Sequence, residues 1–276
     1  MRFGTVGAPI STPAKPGGSV GAIQKIRDLK LDAFELGWVQ AVRVTEKSCE
    51  LINEEGKEQD VALSVHAPYF INLNAEESEW PKSRKRLWDA AYYGYLAGAT
   101  DIIFHPGSYF GRQPSEVLKV AIPRLQDLTT ELAAKDIHVT LRPETMGKGA
   151  LFGSFDDVLE MSKQVSGVLP CLDFAHLHAR HGDGSVNSEF EWVELLNGYA
   201  KLLGHKALQS LHIHLSGIQY TEKGEKKHLP LRESDLHIEE LLGVLVSAGC
   251  CGRILCESPI LEEDAQYMQK LWHELS

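Results

Sequence analysis

Short apolar runs rich in β-branched residues recur eight times along the chain, at roughly 2–6, 32–36, 61–66, 101–105, 137–143, 168–173, 209–215 and 253–257. Between them apolar positions recur at helical spacing, as in SRKRLWDAAYYGYLAGA (83–99), PSEVLKVAIPRLQDLTTELAAK (114–135) and ELLGVLVSAG (240–249). Strands that alternate with amphipathic helices form βαβ units and a parallel sheet. Eight such units over this length predict an α/β fold, a single closed (β/α)8 barrel over residues 1–276. An open dinucleotide-binding sheet is disfavoured, because no G-x-G-x-x-G opens a helix after a strand. The longest irregular stretch, SGIQYTEKGEKKHLPLRESD (216–235), falls between the seventh strand and its helix. In a barrel a loop in that place lies over the mouth, and its length points to function or mobility.

Six consecutive strands finish on a metal-type residue. His66 ends VALSVHAP, His105 ends DIIFHPG, Glu144 ends HVTLRPET, Asp173 ends VLPCLDFAH, His214 ends LQSLHIHLS and Glu257 ends RILCESP. In a closed parallel barrel those ends converge on the C-terminal face, where barrel active sites are built. One histidine at a strand end is an ordinary structural residue, but six such residues in succession predict a metal site. Carboxylates and imidazoles together suit zinc or manganese, and six are more than one ion needs. His176, three residues after Asp173, also reaches the mouth. His178 and His181 are expected beside the site or on the surface, and His138, His205, His237 and His273 on strand starts or helix faces. His212 and His214 share one side of their strand by period-two alternation, and His214 is taken as the one at the mouth.

Composition changes this picture little. The chain is 43% hydrophobic and 24% charged, as for a globular protein, and no run approaches the ~20 apolar residues of a membrane span. The N-terminal MRFGTVGAPIS has no long apolar region of the signal-peptide kind, and five scattered cysteines form neither a zinc knuckle nor a disulfide framework. A cytoplasmic protein with reduced thiols is expected, with no membrane or obligate protein partner. The net charge of −10 argues against nonspecific coating of DNA. It does not argue against DNA as a substrate, because bound divalent cations reverse the local field.

The segments VHAPYFINL, FHPGS, PETMGKG with LFGSFDDV, CLDFAH, IHLS and ILCESP, in this order, resemble the endonuclease IV family. These are zinc-dependent apurinic/apyrimidinic endonucleases built on xylose isomerase-like TIM barrels. The resemblance implies two or three Zn2+ ions, with Mn2+ as a possible substitute, and a DNA substrate containing abasic sites. It implies that His66 and His105 bind one ion, that Glu144 bridges to a second and holds a hydroxide between the two, and that Asp173, His214 and Glu257 complete the second. A third ion in the family takes a histidine after the aspartate and an Asp-x-His pair, which His176 and His228 match in part. The Asp position falls here on Lys226. Either Glu222 or Glu225 substitutes, or the third site is weak or empty, with Lys226 or Lys227 stabilising charge on the leaving oxygen. The turn after Glu144 is one residue shorter than the family's. Tyr69 matches an aromatic that the family inserts into DNA, whereas GWVQAVRVTEKS matches the other inserting loop poorly and offers Trp38 or Arg43.

The expected function is therefore metal-dependent phosphodiester hydrolysis in DNA repair. The strongest alternative is a sugar isomerase or epimerase on the same barrel, which needs one divalent ion held by Glu144, Asp173, His214 and Glu257. A metal- or nucleic-acid-binding protein without catalysis is a third reading, favoured by Lys226 and the acidic balance.

Overall fold

The computed structural model describes all 276 residues. Eight strands form the barrel: β1 (Arg2–Val6), β2 (Ala33–Gly37), β3 (Ala62–His66), β4 (Asp101–Phe104), β5 (Thr140–Pro143), β6 (Cys171–Asp173), β7 (Leu211–Leu215) and β10 (Gly252–Cys256). All neighbours are parallel, in the order β5-β4-β3-β2-β1-β10-β7-β6. Parallel bridges Leu141–Val168 and Glu144–Cys171 close the ring between β5 and β6. The molecule is a TIM barrel. Its strands are buried on both faces, as expected where helices cover the outside.

The surrounding helices are α1 (Gly18–Asp28), α2 (Glu46–Glu58), α3 (Trp80–Leu96), α4 (Pro114–Ala134), α5 (Phe155–Gln164), α6 (Phe174–Ala179), α7 (Glu189–Leu203), α8 (Ile238–Ser247) and α9 (Glu262–Leu275). The cap of α5 matters to the mouth. Ser154 and Asp157 form a reciprocal capping box, and Asp157 also accepts from the Gly153 N–H and the Tyr109 hydroxyl. This pins the loop that follows Glu144. Gly153 has φ +123°, and a Cβ there would sit 2.8 Å from the Glu144 carbonyl oxygen, so only glycine lets the loop pass so close.

The stretch at 216–235 is not irregular. It forms an antiparallel hairpin, β8 (Gly217–Thr221) with β9 (Gly224–Leu229), followed by a 3-10 turn at Leu231–Glu233. Its polar sequence hides the strand pattern, because a register shift between Gln219 and Tyr220 breaks the alternation. The hairpin packs on α6 at the C-terminal face. It is held there by Asp235, which accepts from Tyr220 Oη at 2.7 Å and meets His178 Nε2 at 3.2 Å.

An ionic plug closes the opposite end. Asp101 Oδ1 accepts from Arg142 Nε at 2.6 Å, and its Oδ2 lies 3.0 Å from Arg253 Nη2. The two guanidiniums also reach the carbonyls of Pro170, Ser210 and Leu63, so one cluster ties six strands or their lead-ins. A surface cavity of about 1090 Å3 lies at this end, lined in part by the paired Asp101, Arg142 and Arg253. Burial raises the Asp101 carboxyl, but the charges of Arg142 and Arg253 outweigh it and hold it well below the usual range. A depressed pKa contributes stability above the unfolded value, lost as pH falls. Asp101→Asn is expected to cost about 3–5 kcal/mol in urea unfolding at neutral pH, as for breaking a buried pair. The cost should shrink below about pH 4; a constant cost down to strong acid would contradict this account.

Candidate metal centre

Glu144 is fully enclosed one residue beyond β5, and it organises the mouth. Its Oε2 lies 3.4 Å from Nε2 of His66 at the end of β3 and 3.4 Å from Nε2 of His105 just past β4. Its Oε1 faces the other way, 3.5 Å from Nδ1 of His214 on β7 and 3.2 Å from Nδ1 of His176 on α6. Glu257, just past β10, comes within 3.4 Å of His214 Nδ1. Ligand-capable atoms gather into sets that share members: His66, His105 and Glu144; Glu144, Asp173, His214 and Glu257; Asp173, His176 and His228. All six strand-end residues, with His176 and His228, are thus brought together.

The donor set fits cations. Neither oxygen of Glu144 receives a hydrogen bond, nor does Oδ2 of Asp173, although all three are buried. Buried carboxylate oxygens without donors are costly unless positive charge faces them. Burial pushes the Asp173 carboxyl up to about 6, only partly offset by the His176 charge and reinforced by Glu257 and Glu144. Burial alone would depress the imidazole of His66, but contact with Glu144 and the charges of Glu144, Glu35 and Glu257 hold it above its ordinary value. His176 and His214 are raised further, against burial, by Asp173 and Glu144 around the first and by Cys171, Glu35, Glu257 and Glu144 around the second. The same carboxylates that favour protons on these imidazoles would favour cations among them.

Ring orientation follows from carbonyl groups, which only accept. Nδ1 of His66 lies 3.0 Å from the Ala67 carbonyl, Nδ1 of His176 2.9 Å from that of Thr145, and Nδ1 of His228 3.1 Å from that of Glu257. Each Nδ1 therefore carries the proton, leaving Nε2 as the free donor atom.

Beside His176 and His228 a backbone irregularity brings an acid inward. Gln219 pairs with Lys227 and Tyr220 with Glu225, so Lys226 is the extra residue of a β-bulge. In a regular strand Lys226 would share the face of His228; the bulge leaves it exposed and turns Glu225 inward instead. Glu225 Oε2 lies 3.6 Å from His176 Nε2, and His228 Nε2 lies 3.4 Å from the same atom. A Cβ on Gly147 would fill this corner, meeting Glu225 Oε2 at 2.8 Å. Lys226 and Lys227 are both exposed and make no side-chain hydrogen bond or ion pair, while Glu222 lies exposed at the hairpin tip.

At the rim, Tyr69 is 45% exposed and its ring stacks on His105 at 4.9 Å. Phe70 beside it is 56% exposed, and sequence reading passed it over. A cleft of about 310 Å3 opens there, lined by both aromatics and His105. Arg43 is exposed in the segment after β2. Trp38 is not available to a ligand: it packs into the hydrophobic core, because the chain turns inward after β2 as its N–H bonds the His66 carbonyl at 3.0 Å. His178, expected beside the site or at the surface, is fully buried under the hairpin, whereas His181 is exposed. The residue missed altogether is Glu35, completely buried in mid-β2 against both His212 and His214.

Residues 23–273 match the xylose isomerase-like TIM barrel family, and the chain belongs to it. An uncharacterised protein of Methanocaldococcus jannaschii is 36% identical over 276 residues, covering 100% of this chain and 98% of that protein. A probable endonuclease 4 of Staphylococcus saprophyticus is 28% identical over 178 residues, 61% of this chain and 55% of that protein. Among solved structures, endonuclease IV from Thermus thermophilus superposes with TM-score 0.72 at 19% identity, covering 100% of this chain and 98% of that one. A D-tagatose 3-epimerase-like protein superposes with TM-score 0.73, also at 19% identity, covering 100% and 97%. At these identities the structural likenesses establish the fold.

Divalent cations should stabilise the chain. One ion at a hundredfold its Kd adds about 2.7 kcal/mol, or about 5–10 °C in Tm at this size. Because His66, His176 and His214 have raised pKa values, protons compete from the neutral range downward, so the gain should shrink as pH falls from 7.5 to 6. Calorimetry with zinc or manganese checks this; an unchanged Tm at pH 7.5 would contradict the metal centre.

Proposed function

We propose that this chain is a metal-dependent phosphodiesterase that cleaves DNA at abasic sites. The observation that carries the reading is the double use of Glu144. One oxygen faces His66 and His105, the other faces the set completed by Asp173, His214 and Glu257. A carboxylate divided in this way suits two neighbouring cations, and a single-ion isomerase has no need of the first set. The matched segments of the endonuclease 4 relatives support the same direction.

His66, His105 and Glu144 would hold one ion; Glu144, Asp173, His214 and Glu257 the second; His176, His228 and Glu225 a third. Bound cations would supply Lewis acidity toward a phosphate and a nucleophilic water at neutral pH. The chain's own groups do the rest. Backbone carbonyls keep His66, His176 and His228 aimed inward. Burial of Glu144 and Asp173 excludes bulk water and strengthens every charge interaction at the mouth. Tyr69 and Phe70 present aromatic faces on which a base can stack at roughly 1–3 kcal/mol each. Arg43 offers a positive charge to a phosphate outside the cleft.

The second reading, a sugar epimerase using one ion, is favoured by the completeness of the Glu144, Asp173, His214 and Glu257 set and by the epimerase-like likeness. One experiment separates the two. The protein is incubated with an abasic-site duplex, an undamaged duplex and a ketose, before and after prolonged dialysis against EDTA. The expected result is incision of the abasic duplex alone, abolished by chelation and restored by zinc or manganese. Conversion of the ketose without incision would establish the epimerase, and full incision after chelation would overturn the metal chemistry.

A further inference from the structure

Three of the histidines around the cluster are aimed by a backbone carbonyl on Nδ1, whereas His214 is turned the other way. Its Nδ1 faces Glu144 and Glu257, at 3.5 and 3.4 Å, so the outer nitrogen is Nε2. No carbonyl reaches that atom. What reaches it is the Glu35 carboxylate, with Oε1 at 3.0 Å. Glu35 is held in turn from its other oxygen: Oε2 accepts from Ser64 Oγ at 2.7 Å and meets His212 Nε2 at 2.9 Å. Oε1 and His214 Nε2 have no hydrogen-bond partner elsewhere and approach each other as an ion pair whose alignment falls short of a hydrogen bond.

We infer that Glu35 is the positioning residue of the second cation site, fixing the proton of His214 on Nε2 so that Nδ1 is the ligating atom. The inference rests on His214 being a cation ligand. Three features support it beyond an ordinary buried ion pair. A fully buried carboxylate costs several kcal/mol in lost hydration, and an apolar residue would fill mid-β2 at less cost. Ser64 and His212 occupy one oxygen and so orient the other. A carboxylate behind a histidine also raises its basicity as a ligand, which a carbonyl does less strongly. Glu35 touches no substrate in this arrangement and acts through His214. Because both proposed chemistries use His214, its role is the same in either.

The test is a Co2+ titration against a chromophoric chelator, with wild type, Glu35→Ala, Glu35→Gln and Asp101→Asn, and no activity measurement. Loss of Glu35 should weaken one of the bound ions about 10–100-fold and leave the others unchanged. Glu35→Gln, which keeps an acceptor but not the charge, should fall between. Asp101→Asn breaks a buried ion pair elsewhere, so it should lower Tm without changing affinity. Should the Glu35 variants fail to fold, ring-nitrogen NMR of the zinc-loaded wild type decides, with His214 expected to carry its one proton on Nε2. An affinity in Glu35→Ala within about twofold of wild type, an equal loss in Asp101→Asn, or a proton on Nδ1 of His214 would overturn the assignment. Wild type that binds no cobalt would instead overturn His214 as a ligand, and with it the metal reading.

Discussion

A carboxylate sealed from water with both oxygens lacking hydrogen-bond donors is the constraint around which this barrel is arranged. Glu144 sits at the mouth with imidazoles on either side of it, and nearby Asp173 has one oxygen, Oδ2, in the same condition. Such a group is stable only where positive charge meets it, whether from protonated histidines or from cations. The upward shifts of His66, His176 and His214, and of Asp173 itself, are the protein's response when protons alone supply that charge. Divalent ions answer the same demand with donors already in place.

The polar interior has a second tier. Beneath the mouth, Glu35 joins His214 to His212, and burial, against the pull of Glu35, lowers the His212 imidazole to about 4. Below that, Asp101 binds Arg142 and Arg253 and closes the far end. Each tier pairs its own charges, so the interior stays polar along the barrel axis without leaving an isolated charge in mid-core. The family's common scaffold thereby supports the mouth from below as well as from its loops.

Most of this was legible in the sequence for a simple reason. Parallel strands buried on both faces read as apolar runs, and a His, Asp or Glu at the end of such a run has nowhere to project but the mouth. The strand positions and the six strand-end candidates, His66, His105, Glu144, Asp173, His214 and Glu257, followed from that rule, while His176 and His228 as ligands came from the resemblance. Glu35 escaped it by lying in the middle of AFELG rather than at its end, though a charge inside a buried strand always requires a partner, and His212 was the available signal. The acid near His228 was left open between Glu222, Glu225 and a weak or empty site, because one bulged residue changes which side chain faces inward and no residue type announces a bulge. Trp38 was misplaced since an aromatic just after a strand packs inward as readily as outward, and only the hydrogen bond from its N–H to His66 fixes which.

Anomalous diffraction from crystals grown with zinc, recorded on both sides of the absorption edge, tests the central claim most directly. Two peaks about 3.5–4 Å apart are expected, one on each side of the Glu144 carboxylate, with a third among His176, His228 and Glu225. A single peak held by Glu144, Asp173, His214 and Glu257, or none at the mouth, would contradict a carboxylate shared between two cations.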